Sequence, residues 1–151
     1  MHLIVQSNTV VDCSAAQAFA LVANMERFPE WFPKVIAITS SNELAHGQVG
    51  KQYRETVIVP LRGQRQIMIT VKEVAANQLF ITEGRFPPLL PRMEVRFTEL
   101  GPQQTAIDWR MLSRSKSPWV RHLLLPLARR TLKRRAEQGM NQLKARLEGR
   151  A

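Results

Sequence analysis

From residue 34 to residue 115 the chain passes through six segments in which apolar and polar residues alternate, and it then changes to one long segment of helical period. Period-two alternation puts every second side chain on the same side of a strand, so such a run builds a sheet with one oily face. The segments are 34–44, 50–60, 63–76, 78–85, 91–100 and 103–115, with breaks near Gly47, Gly50, Leu61-Arg62-Gly63, Ala76-Asn77, Phe86 to Pro91 and Gly101-Pro102. Breaks this short make antiparallel neighbours of successive strands. Ahead of them, Leu3 to Val11 reads as another strand and Ala15 to Asn24 as a helix, with Ser14 as N-cap and Ala18, Leu21, Val22 and Met25 on one face. Met25 to Pro33 gathers Phe28, Trp31 and Phe32 around two prolines, which predicts a short helical turn. The order is α+β: a seven-stranded antiparallel sheet, two short helices between its first two strands, and a terminal helix.

That helix opens at Ser117-Pro118, an N-cap followed by Pro at the first helical position, and runs to about Leu147. At 1.5 Å per residue it is roughly 45 Å long, enough to cross a sheet. Leu125, Ala128, Leu132, Ala136, Met140, Leu143 and Leu147 are spaced 3, 4, 4, 4, 3 and 4 apart and share a stripe. Trp119, Val120, Leu123, Leu124 and Leu127 fall on the opposite side of the same wheel. Either Pro126 breaks the helix, or its first turns face another apolar surface.

The strand faces expected to meet the stripe carry Val57 and Val59; Ile67, Ile69 and Val71; Leu79 and Ile81; Met93, Val95 and Phe97; and Ile107, Trp109 and Met111. Arg54, Gln66, Thr70, Lys72, Glu94, Arg96, Asp108 and Arg110 alternate with them and belong outside. Ala128 and Ala136 either let the helix approach the sheet closely or leave volume for a ligand. Three charges and a phenol fall in phase with the oily positions: Tyr53 and Glu55 with Val57, Glu83 with Ile81, and Arg129 between Leu125 and Leu132. A buried charge needs a partner, so Arg129 would meet Glu55 or Glu83 inside; the alternative keeps these heads in water at a cavity mouth. Trp31-Phe32-Pro33 and Phe86 to Pro91, with Leu89 and Leu90, are apolar loops that either frame an entrance or pack on the helix end.

Charge is strongly asymmetric. Residues 1–109 hold 10 Lys+Arg against 10 Asp+Glu, while residues 110–151 hold 12 against 2, so the whole net charge of +10 lies in the last part of the chain. Arg130, Lys133, Arg134 and Arg135 are the densest cations, and they fit an anionic membrane surface, RNA or simply solvent. Catalytic motifs are scarce. His2, His46 and His122 lie in unrelated contexts, Cys13 is the single cysteine, and no Gly-x-Ser-x-Gly or His-Glu-x-x-His occurs. We therefore expect no metal and no cofactor. With 151 residues, no apolar run of about 18 and no signal-like N-terminus, a single cytoplasmic domain is expected, with contact to membranes at most peripheral.

Three stretches carry a resemblance to a known superfamily: Asp12-Cys13-Ser14-Ala15-Ala16-Gln17-Ala18-Phe19 entering the first helix, Phe28-Pro29-Glu30-Trp31-Phe32-Pro33 after it, and Gln103-Gln104-Thr105-Ala106-Ile107-Asp108-Trp109 on the last strand. With the element order, they resemble the START-like superfamily of polyketide cyclases, coenzyme-Q-binding proteins and ribosome-associated toxin-like proteins. The resemblance implies a helix-grip fold, in which a curved sheet wraps the long C-terminal helix around an apolar cavity. Ligand contacts would then come from Tyr53, Glu55, Val57, Ile69, Ile81, Glu83, Met93, Val95, Phe97, Trp109, Met111, Leu125, Arg129 and Leu132, and the entrance from Trp31, Phe32, Phe86, Leu89 and Leu90. Three functions fit: a carrier of a lipid, quinone or polyketide-like molecule; a cyclase using Tyr53, Glu55 or Glu83 as acid or base; and a ribosome or RNA partner using the basic helix.

Overall fold

In the computed structural model, which describes residues 1–59 and 61–149, β1 (His2–Val11) leads into α1 (Ala15–Ala23) and a 3-10 turn (Met25–Glu30). Then come β2 (Val35–Ser40), β3 (Gln52–Val59), β4 (Gly63–Ala75), β5 (Leu79–Arg85), β6 (Pro91–Gly101) and β7 (Gln104–Ser113), a π-helical turn (Val120–Leu124) and α2 (Leu125–Leu147). Residue 60, the last of the expected 50–60 strand, lies outside the described residues. The strands form one antiparallel sheet in the order β1-β7-β6-β5-β4-β3-β2, so the meander from β2 to β7 closes on the N-terminal strand. This is the expected helix-grip architecture. β2 ends earlier than the alternation implied, because residues 41–51 leave the sheet in a loop that turns at Gly47 and Gly50, both at positive φ.

Local chemistry fixes the N-terminal helices. Gln17 N–H donates to Ser14 Oγ at 3.1 Å while Gln17 Oε1 accepts from Ser14 N–H at 3.3 Å, a reciprocal cap on the first turn of α1. Ala18, Leu21, Val22 and Ala23 are its buried face. In the turn that follows, Phe28 stacks on Phe32 with ring centroids 4.9 Å apart, and Phe32 lies 5.3 Å from Trp109 of β7. The aromatic cluster thus ties the turn to the concave sheet face.

α2 packs along the edge strand β1. An edge strand leaves carbonyls unpaired, and the helix supplies cations to them. Arg129 Nη2 donates to Leu3 O at 3.0 Å, Lys144 Nζ donates to Val10 O, and the Glu148 carboxylate accepts the Asp12 N–H at 2.8 Å. Arg129 is therefore not a cavity residue. Its Cα is in phase with the inward stripe, but its long side chain turns outward to the β1 edge, beside the bulge between Leu3 and Val5.

Pro126 does not end the helix. Helical geometry starts at Pro118, and the N–H of Leu125 bonds the carbonyl of Val120, five residues back rather than four. In an α-helix, five residues turn through about 500°, which would put Val120 some 140° away from Leu125; a π-turn stacks them instead. Val120 and Leu125 are accordingly both buried. The expectation that Val120 lies opposite the stripe is corrected by this one turn, while Trp119, Leu123 and Leu127 stay exposed.

Further along α2, Gly139 allows a close approach. A Cβ built there would lie 2.9 Å from Phe32 Cδ2, inside van der Waals contact. Gly139→Ala should gain about 1 kcal/mol of helix propensity but force a ring held by Phe28 and Trp109 to move, at a cost of about 1–3 kcal/mol. We expect net destabilisation on the order of 1 kcal/mol in denaturant unfolding; stabilisation would show that Phe32 does not hold this position.

Candidate functional site

The concave face is not filled at the β3–β4 end. A cavity of about 460 Å³ lies between β3, β4, β5 and β6 on one side and the start of α2 on the other. Its strand wall is made by Glu55, Val57 and Val59 of β3, Ile67 and Ile69 of β4, Thr82 and Gly84 of β5, Met93 of β6 and Met111 of β7. Leu124, Leu127, Ala128, Thr131, Leu132 and Arg135 close the helix side, and Phe86, Pro87, Pro88 and Leu89 form a flap. A second hollow of about 720 Å³ is an open groove between Ser14–Ala16, Ala75–Leu79 and Arg96–Glu99. Its lining is mostly exposed, and its two charges, Arg96 and Glu99, stand in solvent.

Of the residues expected to meet a ligand, Glu55, Val57, Ile69, Met93, Met111 and Leu132 line the cavity. Val95, Phe97, Trp109 and Leu125 face inward but are packed in the solid core. Two residues are on the wrong side. Thr82 pairs with Val71 and Met93, both inward, so the even positions Phe80, Thr82 and Gly84 of β5 face inward, Thr82 and Gly84 into the cavity, and Ile81 and Glu83 are convex. Ile81 is still buried, between Glu73 and Glu94 on that outer face. Glu83 joins a charge network there: Arg92 reaches Glu83 and Glu94 at 2.8 Å each, with Arg114 3.5 Å from Glu83 and Arg110 3.7 Å from Glu94. An ion pair between Arg129 and either glutamate does not form.

The entrance is also redrawn. Phe32, Phe86 and Leu89 are among the lining residues, but Trp31 is fully buried against Phe28, and Leu90 is outside the lining, with its N–H on Phe86 O and its carbonyl accepting Arg114 N–H. Trp119, Ile58, Leu61 and Leu127 were not expected at the mouth and are there. Among the basic residues Arg135 lines the cavity, where burial pushes its guanidinium below the usual arginine range, whereas Arg130, Lys133 and Arg134 are exposed.

Tyr53 lies one strand position pair deeper than Glu55 and outside the lining. Its hydroxyl is 2.6 Å from His46 Nδ1, the two rings are stacked, and His46 Nε2 is 3.3 Å from Glu26 Oε1. Glu26 fixes the proton on Nε2, leaving Nδ1 to accept from the phenol. Burial pushes the Tyr53 hydroxyl up to about 12. It is a strut between the loop 41–51 and β3, with its one proton committed.

Glu55 is the one acid among the described lining residues. Among the described residues it makes no hydrogen bond or ion pair, and burial alone pushes its carboxyl up to about 7. A carboxylate stripped of water and unpaired is costly, so the group is kept neutral over most of the acidic range. The sign follows: the folded state holds this proton more tightly than the unfolded chain, so the contribution is full below about pH 4.5 and is lost as pH rises through about 7. The loss is on the order of 3 kcal/mol. Glu55→Gln, which cannot ionise, should lose less stability than wild type between about pH 5 and pH 8. Parallel urea midpoints across that range would refute a buried, unpaired Glu55.

A search of curated protein sequences gives no match. Solved structures give the fold. A START superfamily protein from Mycobacterium smegmatis superposes with a TM-score of 0.75 at 21% identity, with 99% of each chain covered. A protein from Thermus thermophilus gives 0.70 at 14% identity, covering 95% of each chain. The Zhui aromatase/cyclase from Streptomyces sp. R1128 gives 0.67 at 16%, covering 95% of this chain and 92% of the other. The sequence profile of one family matches from residue 2 to residue 148, nearly every element that builds the cavity. The solved structures share the helix-grip fold, and with the profile match the chain belongs to the family described as polyketide cyclase / dehydrase and lipid transport.

Proposed function

We propose that the protein binds a hydrophobic small molecule in the 460 Å³ cavity and carries it without covalent change. One observation supports this reading above the others: a largely apolar wall that holds, among the described residues, one carboxyl, the unpartnered Glu55, with the cations Lys34, Arg62, Arg65 and Arg135 also in the lining. Apolar walls give affinity in proportion to the ligand surface removed from water, roughly 25 cal/mol per Å². Polar groups placed singly in such walls give orientation. With its carboxyl pushed up to about 7 by burial, Glu55 donates to a ketone, ester or quinone oxygen in its neutral form and accepts from a hydroxyl in its charged one. The fitting ligand has a long or fused apolar body and an oxygen function at the depth of Glu55. Lipids, quinones and polyketide-like chains meet that description.

The position of the Glu55 proton also supports a second reading. A carboxyl that titrates near 7 in a water-poor site is a competent general acid or base, and a polyketone folded against it would present exchangeable α-protons. Tyr53 has no free proton for this step and Glu83 faces outward, so among the described lining residues Glu55 would act as the one carboxyl, with Lys34, Arg62, Arg65 and Arg135 as the charged groups that share the cavity.

Native mass spectrometry of the purified protein, followed by titration with a fluorescent fatty-acyl probe, tests the first reading. Ala128→Phe fills the cavity from α2 and should weaken the probe by about tenfold or more, with the thermal midpoint changed by a few degrees. Unchanged probe affinity in that variant would sink the cavity as the binding site. Conversion of a poly-β-ketone chain by wild type, lost in Glu55→Gln, would select the second.

A further inference from the structure

Four large apolar side chains stand in solvent at one end of the molecule: Leu61 in the β3–β4 turn, fully exposed, and Trp119, Leu123 and Leu127 of the terminal helix, 55%, 59% and 64% exposed. They are neighbours in space. Leu61, Trp119 and Leu127 all border the same opening, and Trp119, Leu123 and Leu127 follow each other at intervals of four residues along the helix. The π-turn causes this. It takes Val120 inward and leaves the 119–123–127 line facing out.

The charge around this patch has one sign. Residues 56–72 and 109–136, which supply both of its sides, contain no Asp or Glu. Arg62 adjoins Leu61, and Arg121, Arg130 and Arg134 stand on the helix segment that carries the other three. Among the described residues none of these four arginines has an ion-pair partner. Among the described residues the one acid in the lining, Glu55, is inside the cavity. A patch that is both oily and uniformly cationic does not fit a second copy of itself, which would bring like charges together. RNA would answer the arginines and leave three leucines unused. The partner with anionic groups at its surface and hydrocarbon just beneath is a bilayer, into which leucines insert while an indole rests at headgroup depth and arginines meet phosphates.

We infer that the cavity mouth docks on an anionic lipid surface, with Leu61, Trp119, Leu123 and Leu127 entering the acyl boundary and Arg62, Arg121, Arg130 and Arg134 holding headgroups. The surface goes beyond the ligand reading: it needs the mouth but no particular guest. Its geometry would open the cavity toward hydrocarbon, so an apolar molecule could pass between bilayer and protein without crossing water.

The intact protein with vesicles of phosphatidylcholine, alone and mixed with phosphatidylglycerol, provides the test. Trp31 and Trp109 are fully buried, so Trp119 is the tryptophan that reports contact. Docking predicts cosedimentation with the anionic vesicles, weakening with salt, together with a blue shift of emission and quenching by brominated acyl chains; both optical signals vanish in Trp119→Phe. Arg62→Gln/Arg130→Gln/Arg134→Gln should lower vesicle affinity on the order of a hundredfold. Leu61→Ser/Leu123→Ser/Leu127→Ser removes exposed side chains and should abolish quenching with the circular dichroism spectrum unchanged. Cosedimentation without a Trp119 signal, or preference for an RNA oligonucleotide over anionic vesicles, would overturn the proposal. Failure to bind vesicles while the fatty-acyl probe still binds would sink the docking surface alone; vesicle binding without probe uptake would sustain it and sink the ligand reading.

Discussion

A seven-stranded sheet is wider than a helix, and everything at the site follows from that mismatch. Six spacings of about 4.8 Å make the sheet roughly 29 Å across, whereas a helix with its side chains covers about 10–12 Å. α2 is committed to one margin, along β1, by Arg129 on Leu3 O and Lys144 on Val10 O. The middle strands are covered by α1, while the aromatic turn packs on β2 at the other margin and reaches Trp109 of β7 through Phe32, on which Phe28 stacks. What is left uncovered is the β3–β4 end, and there the sheet's oily face lines a hollow. The cavity is the remainder of a covering problem.

Most of this could be read from residue order. The alternation on β3, β4, β6 and β7 is sustained over long strands and assigns each of those faces to the correct side, including the inward position of Glu55. β5 is not legible in this way, because Leu79-Phe80-Ile81 is apolar at both parities and gives no alternation to follow. Its face is decided by cross-strand partners, Thr82 opposite Met93 and Glu83 opposite Arg92, which a single sequence does not display. Arg129 misleads for a different reason: helical phase locates a Cα, and a side chain that long can leave its stripe. The strut formed by Tyr53, His46 and Glu26 joins residues brought together only by the fold, with no local pattern to mark it.

The positive charge of the C-terminal part, uniform as a count, is divided by the structure into separate tasks. Arg129 and Lys144 bind backbone carbonyls of β1, and Arg110 and Arg114 face glutamates on the convex sheet. Arg135 lines the cavity, while Arg130, Lys133 and Arg134 stand in solvent. A sum over the sequence could announce an anionic partner but could not say which cations were available to meet it.

The π-turn ahead of Pro126 acts like a slipped tooth in a gear. Downstream of it the rod keeps one rotational setting, and upstream it keeps another, although the backbone is continuous and its Leu125 N–H is still satisfied by Val120. Lengthening or shortening the chain by a residue there would re-aim the upstream arm by about 100° and leave the inward seam of α2 untouched. The two ends of a single helix are thereby free to change independently in related chains, one constrained by the core and the other by whatever lies outside the opening.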